Sequence, residues 1–311
     1  MEFSDRLHRL VSQRGTPLCV GFDPHINLLP PALVRRHLDK TGHPLHGHIA
    51  AVTEFLIRIL DRIAGRIPIV KPQWAFFEQF GPEGMVALQS ICSEARDRGL
   101  LVIADAKRGD IGSTAAAYAN AFFASADPAE DAYSPPFLAD AVTVNPYLGW
   151  DAVSPFLAKN IQHGVFVLVR TSNPSGDDFQ NLSVDGDRVQ DRVADAVREW
   201  GAGRIGECGW SSVGAVVGAT YPEEAERLRD RMPLTPFLIP GFGAQGGSAD
   251  SAVKALNRDG SGGNVNSSRD ILFAYRKAPY TRQFGEDGFD RAAEAACLDA
   301  IHRLGEALHR K

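Results

Sequence analysis

Asp105 and Lys107 stand two residues apart at the end of an apolar run, Leu101 to Ala104, and Asp110 follows three residues beyond the lysine. Side chains on a β-strand alternate with period two, so the carboxylate of Asp105 and the ammonium of Lys107 are expected on one side where the chain leaves a buried layer. Ile111-Gly-Ser-Thr114 then leads into the Ala-rich Thr114 to Ala121, which reads as a helix with Asp110 near its start. Lys71 ends another apolar run, and Lys71, Asp105, Lys107 and Asp110 together make a row of alternating charges that cancel. Such a row suits a reaction in which negative charge appears on a substrate atom and is then quenched by a proton. Taken alone it also fits a solvated turn or a structural ion-pair network, so the elements that position it decide.

Short apolar runs recur at Leu18 to Phe22, Ile67 to Val70, Leu101 to Ala104, Ala141 to Val144, Val165 to Val169, Val213 to Val217, Phe237 to Ile239 and, more weakly, Asn264 to Asn266. Their continuous rather than alternating hydrophobicity suits strands covered on both faces, as in a parallel sheet. Helical patterns fall between them at Val52 to Arg62, Pro82 to Arg98, Thr114 to Ala124, Trp150 to Lys159, Arg188 to Trp200, Pro222 to Arg231 and Ala249 to Asn257. Eight strands alternating with helices point to an α/β fold, a (β/α)8 TIM barrel spanning residues 1–311 as one domain, with an open doubly wound sheet as the alternative. The additions are a leading helix at Glu2 to Gln13, a turn-rich insertion at Asp127 to Phe137, a polar loop at Pro174 to Gly186, and a tail from Phe273 to Lys311 that ends in a helix, Phe289 to His309.

Active sites of such barrels gather at the carboxyl ends of the strands. Those ends carry Asp23, Lys71, Asp105 with Lys107, Asn145, Arg170 with Thr171 and Ser172, Gln245, and Ser267 to Arg269, whereas the amino ends offer little beyond turn formers. The segment PGFGAQGG, Pro240 to Gly247, sets four glycines around Gln245, and glycines let backbone N–H groups approach an anion closely. Arg269 at the next strand end completes a paired signal for a phosphorylated small molecule.

Composition bounds the alternatives. With 44% hydrophobic and 23% charged residues the 311-residue chain is globular in type, and a formal net charge of −5 without a basic block argues against nucleic acid or an anionic membrane as partner. Neither a signal-peptide core nor a long apolar run is seen, so a cytoplasmic location is expected. Cys19, Cys92, Cys208 and Cys297 are scattered without metal-ligand spacing and read as reduced, inert thiols. The histidine-bearing HPLHGH, His43 to His48, reads as a surface loop rather than a metal site.

DAKRGDIGST, Asp105 to Thr114, resembles the signature of the orotidine 5′-phosphate decarboxylase family. The resemblance extends in order through GFDP at Gly21 to Pro24, Lys71, TSNPSG at Thr171 to Gly176, PGFGAQGG, and NSSR at Asn266 to Arg269. VKPQWAFFEQFG, Val70 to Gly81, and VNPYLG, Val144 to Gly149, are similar to the longer bacterial subgroup. The resemblance implies decarboxylation of orotidine 5′-monophosphate (OMP) to uridine 5′-monophosphate (UMP), the last step of de novo UMP synthesis, without metal or other cofactor. It implies Lys107 as the proton donor to C6, with Lys71, Asp105 and Asp110 completing the charged row. It further implies Asp23 and Lys71 at the ribose hydroxyls, Ser172 at the pyrimidine edge, and Gln245 and Arg269 at the phosphate. A homodimer is implied in which Asp110, Ile111 and Thr114 serve the neighbouring subunit's site. Asn145 and Arg170 are open between substrate contact and support. Two rivals stand beside this reading: a metal-dependent sugar-phosphate decarboxylase or aldolase of the same barrel superfamily, and a silent barrel that only binds a phosphorylated ligand. The first needs an added oxygen ligand where Lys71 stands; the second has no use for the charged row.

Overall fold

The computed structural model describes residues 1–127, 134–244 and 246–311. Among the described residues the strands are β1 (Leu18–Phe22), β2 (Ile69–Pro72), β3 (Leu101–Arg108), β4 (Ala141–Val144), β5 (Gly164–Arg170), β6 (Ser183–Val184), β7 (Asp187–Arg188), β8 (Val213–Val217), β9 (Phe237–Ile239) and β10 (Gly263–Ser267). Eight of them close a parallel barrel in the order β1-β2-β3-β4-β5-β8-β9-β10, with β10 returning to β1, and helices surround it. The fold is the (β/α)8 barrel that the apolar runs predict. β6 and β7 form an antiparallel hairpin at the end of the Pro174 to Gly186 insertion, with β7 just beyond it, where the sequence suggested a loop running straight into a helix.

Every residue of β1, β2, β4 and β8 is buried, as continuous apolar strands require. One face of the strands packs on the helices; the other fills the barrel with Cys19, Ile69, Ile103, Phe166, Val216 and Leu238. The leading helix, α1 (Phe3–Arg14), plugs the amino end of the barrel. Phe3 and Leu7 are buried there, and Phe3 meets Phe166 edge to face at 6.2 Å. Gly164 makes this approach feasible, because a Cβ at that position would lie 2.2 Å from the Phe3 ring. Burying two such side chains contributes about 1.5–3 kcal/mol each.

Four expectations need correction. HPLHGH is not a loop: Pro44 opens the helix Pro44–Ile63, and Gly47 lets it lie close on the helix Pro31–Thr41, where a Cβ would stand 2.7 Å from Leu38 Cδ2. The helix expected over Trp150 to Lys159 is divided into a 3-10 segment, Pro146–Ala152, broken at Gly149 (φ 73°), and a short helix, Ser154–Ala158. β3 runs four residues past the apolar core to Arg108. The amino ends are not bare of charge: Asp140, 1% exposed just before β4, pairs with Arg6 at 2.5 Å and Arg96 at 3.1 Å. Part of the Asp127 to Phe137 insertion, residues 128–133, lies outside the described residues. The tail helix Phe289–Arg310 packs against the helix Pro44–Ile63.

Candidate active site

β2 and β3 deliver Lys71, Asp105 and Lys107 of the charged row, but not Asp110. Lys71 and Asp105, 4% and 7% exposed, meet at 2.6 Å, and Lys107 Nζ lies 2.6 Å from the other oxygen of Asp105. The carboxylate is fully engaged. Oδ2 accepts from Lys71 and from Gln73 Nε2 (3.1 Å), and Oδ1 accepts from Lys107 and from Thr143 Oγ1 (3.0 Å). Thr143 in turn accepts the backbone N–H of Lys107 at 2.9 Å. The neighbouring Trp74, 1% exposed, anchors the chain at Gln73 by clustering with Phe122 and Phe137, each at 5.3 Å.

Electrostatics fix the ionisation of this cluster. Burial would raise the Asp105 carboxyl, but Lys71 and Lys107 outweigh it and hold the group well below the usual carboxylate range. Burial would likewise depress Lys71, but Asp105 and then Asp23 outweigh it and hold the ammonium above the usual lysine range. A permanent carboxylate and a permanent ammonium thus lie beside Lys107, whose side chain is 46% exposed.

These groups line a cavity of about 400 Å³ at the carboxyl end of the barrel, together with Asp23, Ser172, Arg269 and the apolar Leu168, Val216 and Leu238. Asp23 Oδ1 and Asn266 Oδ1 are buried there without a hydrogen-bond partner, so the cavity presents acceptors that want a donor. Arg269 opens the short helix Arg269–Leu272 directly after β10, beside the loop of Gly241, Phe242 and Ala244. Gln245 lies outside the described residues.

Five candidates stand off the cavity. Asp110 accepts the N–H of Ile111 at the start of the helix Gly112–Phe122, and Ile111 and Thr114 are exposed. Asn145 caps the 3-10 segment by accepting the N–H of Tyr147 at 3.0 Å. Arg170 is fully buried, binds Glu224 at 2.5 Å and Asp177 at 2.7 Å, and lies over the Tyr221 ring at 3.7 Å. Its partner Gln180 accepts the N–H of Thr171, so Arg170 fixes the chain leading to Ser172. Gln73, Thr143 and Asn266 were not singled out from the sequence. Thr143 had a visible signal, a hydroxyl inside the apolar run Ala141 to Val144, and Gln73 shares the period-two face of Lys71.

Among the described residues no group of three His, Cys, Asp or Glu side chains is placed to hold a metal ion. Cys19, Cys92 and Cys297 are buried, which pushes their thiols up to about 12. No helix among the described residues is long and apolar enough to cross a membrane.

Comparison with known proteins agrees with this geometry. The sequence model of the orotidine 5′-phosphate decarboxylase / HUMPS family matches residues 16–279. A protein of Rhodopirellula baltica named orotidine 5′-phosphate decarboxylase is 44% identical over 306 residues, covering 98% of this chain and 99% of its own. One of the same name from Caldicellulosiruptor bescii is 40% identical over 278 residues, covering 89% and 91%. The solved structure of Leishmania donovani OMP decarboxylase superposes with a TM-score of 0.74 at 31% identity, covering 99% of this chain and all of that one. In motif order, barrel closure and sequence alike, this chain belongs to the orotidine 5′-phosphate decarboxylase / HUMPS family.

Proposed function

We propose that this chain decarboxylates OMP to UMP without a cofactor, and that Lys107 protonates C6. The observation that carries the reading is one ionised carboxylate, Asp105, held between two lysines on a cavity that Arg269 also lines. Breaking the bond between C6 and its carboxylate releases CO₂ and leaves the electron pair on C6, which has no adjacent sink. Fixed positive charge must therefore lower the barrier in a site that sheds water. The Lys107 ammonium stabilises the pair and then donates its proton to C6; water reprotonates the amine. Lys71, held above the ordinary lysine range by Asp105, supplies a fixed positive charge beside the donor.

The remaining roles follow the lining. Asp23 Oδ1, buried and unpartnered, would accept a ribose hydroxyl beside Lys71, Ser172 would meet the pyrimidine edge, and Gln245 and Arg269 the phosphate. Phosphate contacts remote from C6 supply binding energy for the chemical step. The direct test is an ultraviolet assay of OMP turnover with a chelator present. Undiminished turnover is expected, and activity that returned only with added magnesium would overturn the reading.

We also propose a homodimer with Asp110, Ile111 and Thr114 reaching the partner's site. Its support is an exposed apolar surface around them: Ile111 is 51% exposed, Tyr118 37%, Leu148 48% and Tyr147 90%. Mixing Lys107→Ala with Asp110→Ala chains should restore about a quarter of wild-type activity, as random pairing of two-fold dimers leaves half of the pairs with one intact site of two. No recovery on mixing would rule out a shared site. We read residues 1–311 as one domain, since a continuous apolar core joins the barrel to the tail helix.

A further inference from the structure

Lys107 adopts a left-handed backbone, φ 47°, which residues other than glycine sparsely populate. The cause lies in the sheet. β3 pairs with β4 at Ala104↔Val142 and next at Arg108↔Val144, so Asp105, Ala106 and Lys107 stand opposite Thr143 alone. A bulge of this kind re-aims side chains, and here it turns the end of β3 so that the Lys107 ammonium folds back onto the Asp105 carboxylate.

We infer that Thr143 is a positioning residue for the proton donor, an inference that rests on the decarboxylase reading. Its hydroxyl closes a ring: it accepts the Lys107 N–H at 2.9 Å and donates to Asp105 Oδ1 at 3.0 Å, the same oxygen that receives Lys107 Nζ. One neutral group therefore sets both the strained backbone of the lysine and the rotation of the carboxylate that holds its side chain. Thr143 is 1% exposed, so water does not compete for either bond. Strained conformations at functional sites persist only where surrounding contacts over-determine them, and this hydroxyl supplies such contacts.

Thr143→Val keeps shape and charge and removes both bonds; Thr143→Ser keeps the hydroxyl. For Thr143→Val, kcat for OMP should fall by about 10- to 100-fold, the scale of a misplaced reacting group, while KM and UMP affinity change less than about 3-fold. Thr143→Ser should recover most of kcat, and a crystal structure of Thr143→Val should show Lys107 outside the left-handed region. A wild-type kcat in Thr143→Val, or equal loss in the valine and serine variants, would overturn the inference. If Thr143→Val does not fold, Thr143→Ala is judged against Thr143→Ser by the same criterion. Failure of the wild-type protein to turn over OMP would instead sink the decarboxylase reading, which keeps the two outcomes apart.

Discussion

A buried aspartate lies between two cations beside each end of β3. At the carboxyl end Asp105 is held by Lys71 and Lys107; at the amino end Asp140 is held by Arg6 and Arg96 and also accepts the Val102 N–H at 2.8 Å. The charge pattern is the same and the cations differ. Arginine presents a planar fork that keeps its proton, so the lower cluster ties α1, the helix Pro82–Asp97 and the start of β4 together and can do nothing else. Lysine is a compact charge on a flexible stem with a transferable proton, and the upper cluster faces a cavity. Alternating charge by itself is therefore a poor sign of catalysis; a proton-yielding cation turned toward open space is a better one.

The comparison breaks most readily at Lys107. Lys107→Arg keeps the charge yet withholds the proton, so kcat should fall by about 10³- to 10⁴-fold or more while UMP still binds. Arg96→Lys at the other end should leave kcat unchanged. Near-normal turnover by Lys107→Arg would mean that the upper cluster, like the lower, only holds.

Arg269→Ala tests a cation used for binding rather than for proton transfer. A rise in KM for OMP of about 10²-fold is expected, with little difference from wild type on a substrate lacking the phosphate. Equal relative losses on both substrates would remove Arg269 from the phosphate.

At the amino end the effects should appear in stability alone. Removing one member of a buried pair costs about 3–5 kcal/mol when the remaining charge stays buried. Arg6 and Arg96 keep 24% and 35% side-chain exposure and can rehydrate, so the smaller cost of an unsatisfied polar group governs. Asp140→Ala should lower unfolding free energy in urea by about 1–3 kcal/mol with kcat intact. A fall in kcat at unchanged stability would couple the two ends and undo the contrast.

The same two regions show what a sequence can and cannot carry. The upper cluster was legible because Asp105 and Lys107 stand two residues apart on one strand and Lys71 closes its own apolar run. The lower one was not, because Arg6 and Asp140 are 134 residues apart and only the plugging of the barrel by α1 brings them together. Thr143 was passed over although its hydroxyl interrupts an apolar run, since a β-branched residue inside a strand needs no further reason to be there. The polar, turn-former-rich HPLHGH suggested a loop, but Pro44 opens a helix there and the missing side chain of Gly47 serves a close helix contact. Family membership, by contrast, followed from motifs spread along the chain, and the family match over residues 16–279 bears it out.

The smallest expected effect concerns pH and lies wholly at the amino end. His163 stacks on Phe123 at 4.4 Å with 7° between the rings, and its Nδ1 is buried without a partner. Burial pushes its pKa down to about 4, although Asp140 pulls it upward. The unfolded chain, with an ordinary histidine, takes up a proton near pH 6.5 while the folded one stays neutral, so stability is fully present above about pH 6.5, declines as pH falls toward 4 and levels off below. The full gap between the two pKa values would be worth about 3 kcal/mol, and partial solvation of the ring trims this to about 1–2 kcal/mol. His163→Phe keeps the stacked ring and removes the titration. Its stability relative to wild type, read as the free energy required to unfold it, should therefore rise by about 1–2 kcal/mol on going from pH 7 to pH 4.5, with the upper cluster untouched because Asp105 remains ionised well below that range. A difference that stayed constant across both pH values would show that the imidazole does not titrate in this window.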